Sequence, residues 1–337
     1  MSRFETIRFF SNDGSVHDFE KRNFDRVATD LYVDAPLTNV SIQYKNLDYI
    51  ADLVLPRIQV KQETGIIWTM GTENFNLKEA ARGDKSVSKR SGYTVSSSAT
   101  YRIVNYALSD VVTQGMRDMA ANPMQPETDT TEYLTEQLML YKEYTVGSAL
   151  FNTGATGFSG YTETLNASSS RYQWSDYTNS TPLEDATYAK NKIATNSGAT
   201  SGIVLVVGAD VWQQLENHPD ILDRIKYTQF GVITEQLVAK AMQLDNIFVG
   251  KSLYNTANEG QTASLARIWG KFALFMHKPA TVGLKTAATA ALIHGGNYVR
   301  KWTENSLRGA TVVEVEEAYQ AKILSAKSGY LLSTAVE

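Results

Sequence analysis

Four stretches of this chain carry residue types that could do chemistry. The first is VVGADVW, Val206–Trp212, in which a strand-like run meets a glycine and then a helix-like run ending near Leu215. A nucleotide phosphate can sit on such a turn. The stretch lacks both the three-glycine fingerprint and the Lys-Ser/Thr pair that grips phosphate, and a buried strand entering a helix explains it more simply. The second is the set of histidines, His17, His218, His277 and His294. None lies at metal-ligand spacing from another. HPDILD sets His218 close to Asp220 and Asp223, an acid/base or metal-like grouping whose aspartates are also ordinary helix-start residues. The third is the adjacent pair Glu316 and Glu317, which on a strand point to opposite faces and cannot act on one substrate. A charged sheet edge that blocks unwanted pairing fits them better. The fourth is GDKSVSKR, Gly83–Arg90, which is basic enough to touch a phosphate but short, so a charged contact with another protein chain fits equally well. No G-x-S-x-G nucleophile elbow occurs. The chain is therefore expected to be no enzyme, with no catalytic, cofactor-binding or metal-ligating residue and no cofactor.

Composition narrows the classes further. The 337 residues carry a formal net charge of -4, with Lys and Arg spread along the chain rather than gathered on one face. That is not the pattern of a protein that holds nucleic acid on a basic surface. There are no cysteines, which excludes disulfides and thiolate metal sites. No stretch approaches the roughly 20 apolar residues of a membrane span, and the N-terminus lacks the apolar run of a signal peptide. The expectation is a chain made and kept in a cytosol, with no membrane partner. Aromatic residues occur throughout, as core packing or as anchors at subunit interfaces.

The elements that must position these residues read as α+β. Met1 to about Leu47 is polar with irregular apolar residues, an extended arm with at most one short helical piece. Beyond Pro56, Ile58 and Val60 alternate with polar neighbours, and Ile66, Ile67 and Trp68 favour a strand. Tyr93, Val95, Tyr101, Ile103 and Ala107 form a second such run. Between the two lies the charged stretch Gly71–Gly92. Two strands with a polar tip predict a long hairpin, whose legs of about a dozen residues would reach about 40 Å. An isolated hairpin is marginal in water, so it needs a partner surface.

The clearest helix starts near Asp129, read as its N-cap with Glu132 at the capping-box position, and runs to Phe151 with Tyr133, Leu134, Leu138, Tyr141 and Tyr144 at helical spacing. A Gly/Ser/Thr-rich stretch to Ser170 ends it. From Thr181 the chain is compact α/β: a capped helix from Pro182 to about Ala194, a buried strand Gly202–Gly208, two short helices split before Pro219, a helix Thr234–Met242 and a strand Asn246–Gly250. Asn255–Thr262 reads as a loop. From Leu265 onward β patterning dominates, with two strands turning near Gly270 and long alternating runs through Ile323.

This order of parts resembles the major capsid proteins of tailed phages, the Hong Kong 97-type shell fold. ADLVLPRIQVKQETG, Ala51–Gly65, resembles the family's entry into its extended loop. HPDILDRIKYT and TEQLVAKAMQLDNIFVGKSLYNT resemble its axial domain. IWGKFALFMHKP and VRKWTENSLRGATVVEVEEAYQAKILSAKSGYLL resemble the β return of its peripheral domain. The resemblance implies an N-terminal arm over 1–48, an extended β-hairpin loop over 49–108 and a peripheral domain over 109–180 with a spine helix over 129–151. It also implies an axial α/β domain over 181–264 and a β-rich return over 265–337.

It further implies a homo-oligomer of pentamers and hexamers in a closed icosahedral shell. The shell would enclose double-stranded DNA without sequence-specific binding, be built in the bacterial host cytoplasm and belong to the virion. A separate scaffolding protein, a portal and a decoration protein are the implied partners. Phe75, Lys78, Arg82, Lys85, Lys89 and Arg90, in the loop, become the candidate inter-subunit contacts. Some family members join Lys to Asn covalently; neither Lys78, Lys85 nor Lys89 can be matched to an Asn and a catalytic Glu, so no crosslink is expected. The competing readings are an encapsulin-like compartment shell, a cytosolic α/β enzyme with a nucleotide pocket near Gly208, and a tail or baseplate part.

Overall fold

The computed structural model describes residues 8–10, 16–18, 32–33, 49–70, 77–81, 84, 87–88, 90–92, 95–120, 125–166, 171–226, 233–258, 260–282, 288–304 and 309–337. The chain divides into two compact units. One gathers Met1–Tyr44, Ala107–Leu134 and Tyr298–Glu316; the other gathers Lys45–Tyr106, Thr135–Asn297 and Glu317–Glu337.

In chain order, β1 (Arg8–Phe10) and β2 (Val16–Asp18) form an antiparallel pair, and β3 (Tyr32–Val33) follows. The rest of the expected N-terminal arm lies outside the described residues. A single helical turn, α1 (Ala51–Val54), stops before Pro56 and leads into β4 (Arg57–Gln59). The hairpin legs are β5 (Thr64–Met70) and β6 (Val95–Arg102), and β7 (Val104–Val112) continues from β6. Two helices come next, α2 (Gln114–Met119) and α3 (Pro126–Leu150), and then β8 (Thr162–Thr164).

The α/β stretch holds α4 (Pro182–Ser197), β9 (Ile203–Gly208), α5 (Ala209–Glu216), α6 (Pro219–Ile225), α7 (Glu235–Ala241) and β10 (Asn246–Gly250). The return is all strand: β11 (Leu253–Asn255), β12 (Leu265–Arg267), β13 (Ala273–His277), β14 (Ala290–Glu304), β15 (Ala310–Ile323) and β16 (Gly329–Ser333).

The second unit is organised by a sheet in the order β10-β9-β13-β16-β8. β9 and β10 run parallel, β13 is antiparallel to both β9 and β16, and β8 lies parallel to β16. Both faces of this sheet are covered. Leu205 and Val207 of β9 share a core with Ala186, Ala189 and Ile193 of α4 and with Ile221 and Val238 from α6 and α7. Val204 and Val206 share the other with Val146 and Leu150 of α3 and with Val54 and Trp269. A strand buried on both sides reads in sequence as an unbroken apolar run, which is how IVLVVG was recognised. A further sheet has the order β3-β14-β15-β7, with β4 pairing in parallel on β14.

Four expectations need correction. The long helix begins at Pro126, not Asp129: proline occupies its first turn, where no N–H is needed, and Glu127 and Asp129 lie within that turn. Its buried side is not the expected tyrosine stripe. Leu134 and Leu138 are buried, but Tyr133, Tyr141 and Tyr144 are exposed, and Lys142 and Glu143 are buried in their place. The two strands flanking Gly270 do not form a hairpin, because β12 pairs with β11 and β13 belongs to the sheet of β9. Finally, Glu316 and Glu317 are not at a sheet edge: β15 lies between β14 and β7, and both carboxylates are buried with cationic partners.

Thr181 does precede α4, but its side chain does not cap the helix. Its hydroxyl instead donates to Glu184 Oε2, and Asp220 Oδ2 accepts the Leu183 N–H. Replacing Leu138 with Asp places a charge in a side chain that is 5% exposed. The variant is expected to lose about 3–5 kcal/mol of stability in urea unfolding. Wild-type stability would show that α3 does not depend on this contact.

Candidate assembly site and the buried groups that position it

The hairpin is held at its base by its own chain. Ile67, Tyr101 and Ile103 pack with Ile58 and Val60 and with Ala291, Ile293 and Ala318 of the long strands. Gly65 lies opposite Tyr101, and a Cβ at Gly65 would come within 2.6 Å of the tyrosine oxygen, so the missing side chain makes room for the ring. Farther out the register shifts between Ile67 and Thr69, a bulge-type irregularity that twists the ribbon. The opposite face is unburied: Ile66 is 44% exposed and Trp68 40%. The legs contain 7 and 8 residues, about 25 Å of ribbon and shorter than expected.

Of the six tip candidates, Lys78 and Arg90 are described, and Phe75, Arg82, Lys85 and Lys89 lie outside the described residues. Arg90 is exposed, as are Leu77 and Val87. Lys78 is not a free charge. Its ammonium donates to Ser91 Oγ at 2.6 Å and to the Gly92 carbonyl at 3.0 Å, which fastens the two sides of the tip to each other.

An ion network lies where the chain enters the hairpin. Asp52 of α1 accepts from the Arg57 guanidinium at 2.7 Å and from Lys142 of α3 at 3.0 Å. Lys142, buried mid-helix, also reaches Glu317 of β15 at 3.0 Å, and His294 Nε2 lies 3.6 Å from the same carboxylate. Burial alone would push the carboxyls of Asp52 and Glu317 up. For Asp52 the cations Lys142 and Arg57 outweigh it, and for Glu317 the neighbouring His294 ring and Lys142 do, so both are held below their ordinary values.

Next along the same helix, Glu143 is fully buried and accepts four hydrogen bonds. These come from the backbone N–H groups of Ile50 (3.0 Å) and Ala51 (2.8 Å), the Ser252 hydroxyl (3.2 Å) and Trp269 Nε1 (2.5 Å). Burial pushes the Glu143 carboxyl up, against the pull of those donors. This one side chain joins the start of α1, α3 and the segment before β13. Sequence reading missed it. A Lys-Glu pair inside a helix ordinarily marks a solvated face, and no spacing signal distinguishes this one.

Trp269 also accounts for Gly208. Gly208 and Gly250 are register partners at the ends of β9 and β10. A Cβ on Gly208 would lie 2.1 Å from the Trp269 carbonyl oxygen, and one on Gly250 would lie 2.1 Å from the Trp269 ring. The side of Gly208 that a side chain would occupy is filled by the backbone of Trp269 and Gly270, so close packing accounts for this glycine without a phosphate.

The histidine grouping is structural as well. His218 is buried and caps α6, its Nδ1 accepting the Asp220 N–H. That acceptor role puts the ring proton on Nε2, which faces Ser180 Oγ at 2.8 Å, and Ser180 in turn donates to the Asp176 carbonyl. The serine proton is thus directed at a carbonyl and the facing ring nitrogen already carries one, so the pair cannot act as nucleophile and base. Burial lowers the His218 pKa, keeping the ring neutral, against a smaller upward pull from Asp220. Among the described residues no group of three or more His, Asp or Glu side chains could hold a metal, and no helix is long and apolar enough to cross a membrane.

Two outcomes follow from these contacts. Gly208→Ala should cost about 1–3 kcal/mol by overpacking against Trp269, read from the urea midpoint. For pH, Glu317 is depressed in the fold, so its contribution is present above the ordinary carboxylate range and lost as pH falls through its folded value. Glu317→Gln should therefore be less stable than wild type at pH 7 and lose less melting temperature on acidification below about pH 4. Parallel melting curves at both pH values would contradict the pairing.

No family model matches the chain. It is 26% identical over 311 residues to the major capsid protein of Pseudomonas phage JBD67, covering 90% of this chain and 97% of that protein. It is 24% identical over 306 residues to the major capsid protein of Burkholderia phage BcepMu, covering 89% and 96%. Among solved structures, a phage-related protein from Bordetella bronchiseptica superposes with a TM-score of 0.71 at 19% identity, covering 90% of this chain and 98% of that one. The capsid of a native GTA particle superposes at 0.55 with 10% identity, covering 86% and 90%. The structural likenesses carry the fold and the sequence likenesses carry the kinship: the chain is similar over nine-tenths of its length to phage major capsid proteins and is built on the Hong Kong 97-type fold.

Proposed function

We propose that copies of this chain form the pentamers and hexamers of a closed icosahedral head shell that encloses double-stranded DNA. The observation that carries this reading is the hairpin of β5 and β6. Its base is packed into its own chain, whereas its outer face, with Ile66 and Trp68, and the described residues of its tip are left to solvent. A ribbon of this length with an uncovered apolar face is completed by another surface, and a shell protein always has a sister copy beside it. In this reading 49–108 is the extended loop and 181–264 the axial domain. Residues 109–180 with 265–337 make the peripheral domain, and 1–48 is an arm that clasps a neighbour.

Phe75, Lys78, Arg82, Lys85, Lys89 and Arg90 meet the adjoining subunit. Many modest contacts repeated over a closed lattice supply the stability without any one tight interface. The net charge of -4, with no basic concentration, suits a container whose lining must not trap the polyanion inside it. Assembly proceeds on a separate scaffolding protein and includes a portal, and the finished shell accepts a decoration protein.

Expressed with its scaffold, the chain should give closed particles by electron microscopy; monomers at every concentration would overturn the reading. Deleting Gly71–Gly92 should abolish particles while leaving the far-ultraviolet circular dichroism unchanged. Normal particles from that deletion would remove the role given to the tip.

A further inference from the structure

β7 is nine residues long and buries almost nothing. Val112 is its one buried residue, Tyr106 and Val111 are half-buried, and the rest are exposed, including Val104 at 45% and Leu108 at 40%. It is the last strand of its sheet. β15 pairs with one edge, and among the described residues no strand pairs with the other. A free edge presents a row of N–H and C=O groups ready to pair, and proteins ordinarily blunt such edges with lysine, proline, bulges or short length.

VNYALSDVV has none of these guards. It contains no lysine, arginine or proline, and its one charge, Asp110, turns back to accept its neighbour's N–H from Val111 at 2.7 Å. Nine residues give about 30 Å of edge, rich in β-favouring Val and Tyr. The strand at the opposite end of the same sheet, β3, has 2 residues, and β8, at one end of the sheet of β9, has 3.

We propose that the free edge of β7 is a strand-pairing surface that takes the same strand of a second copy, antiparallel across a two-fold axis. This rests on the shell reading above, because self-assembly is what makes the sister edge the partner always at hand. The sequence is compatible with itself in that arrangement. Centred on Leu108, the pairing sets Leu108 against Leu108, Asp110 against Tyr106 and Val104 against Val112, so no like charges face each other.

Because the chain has no cysteine, Leu108→Cys carries the only thiol. In assembled particles under mild oxidation it should yield disulfide-linked dimers on a non-reducing gel. Leu108→Lys should leave the circular dichroism and melting temperature of the subunit near wild type and cut particle yield at least tenfold. Particles of Leu108→Cys that run only as monomers, or bonded to another protein, would overturn the pairing, as would wild-type yield from Leu108→Lys. If the wild-type chain forms no particles with its scaffold, the shell reading itself fails; if it does and the two variants miss their expected results, the β7 inference alone fails.

Discussion

The buried carboxylate of Glu143 is the constraint on which most of the second unit depends. A fully buried carboxyl group must be met by hydrogen-bond donors, and here four groups from three separate stretches of chain converge on it. That convergence fixes where the chain enters α1, how α3 is rotated about its axis, and where Trp269 lies. Trp269 then fills the slot opened by Gly208 and Gly250. Lys142, one residue earlier, adds a second inward charge aimed at Asp52 and Glu317. With neighbouring inward-facing residues tied to different partners, α3 has a single rotational setting. A purely apolar stripe would tolerate sliding; paired buried charges do not.

This arrangement separates what must hold from what must adapt in a shell protein. The base of the hairpin belongs to a packed apolar cluster and enters beside an ion network, whereas Ile66 and Trp68 of its outer face and the described residues of its tip are exposed. Such a ribbon has its root set by its own subunit and its outer course set by whatever it lies against. In the proposed shell, five- and six-fold positions would need that division, since the same sequence would meet neighbours at different angles.

Legibility in sequence followed burial geometry. IVLVVG and NIFVG, buried on both faces, announced themselves as strands, and Pro182 and Pro219 marked helix starts. The long helix was legible in extent but not in rotation, because the pattern assumed that tyrosines go inside and charges outside, and Lys142 and Glu143 reverse that rule. The Glu316–Glu317 pair misled for the same reason: adjacent acids suggest an exposed edge unless their cations, which come from other elements, are known. Gly208 was noticed for the wrong partner. Its lack of a side chain serves Trp269, sixty-one residues later, and no local motif encodes that. The hairpin was legible from its two β-favouring runs and the charged stretch between them.

The long-range pairings of the second unit have a consequence for synthesis. β4 pairs with β14 across 235 residues, β8 waits for β16 near the other end of the chain, and one of the four donors to Glu143 is Trp269, 126 residues on. A ribosome emitting this polypeptide exposes the long helix when Asp52, Ile50 and Ala51 are already made but Ser252, Trp269 and Glu317, the remaining partners of its inward groups, are not. The second unit can close only once the final strand is free of the exit tunnel. Until then β8 and β13 lack β16, the strand that lies between them in the finished sheet.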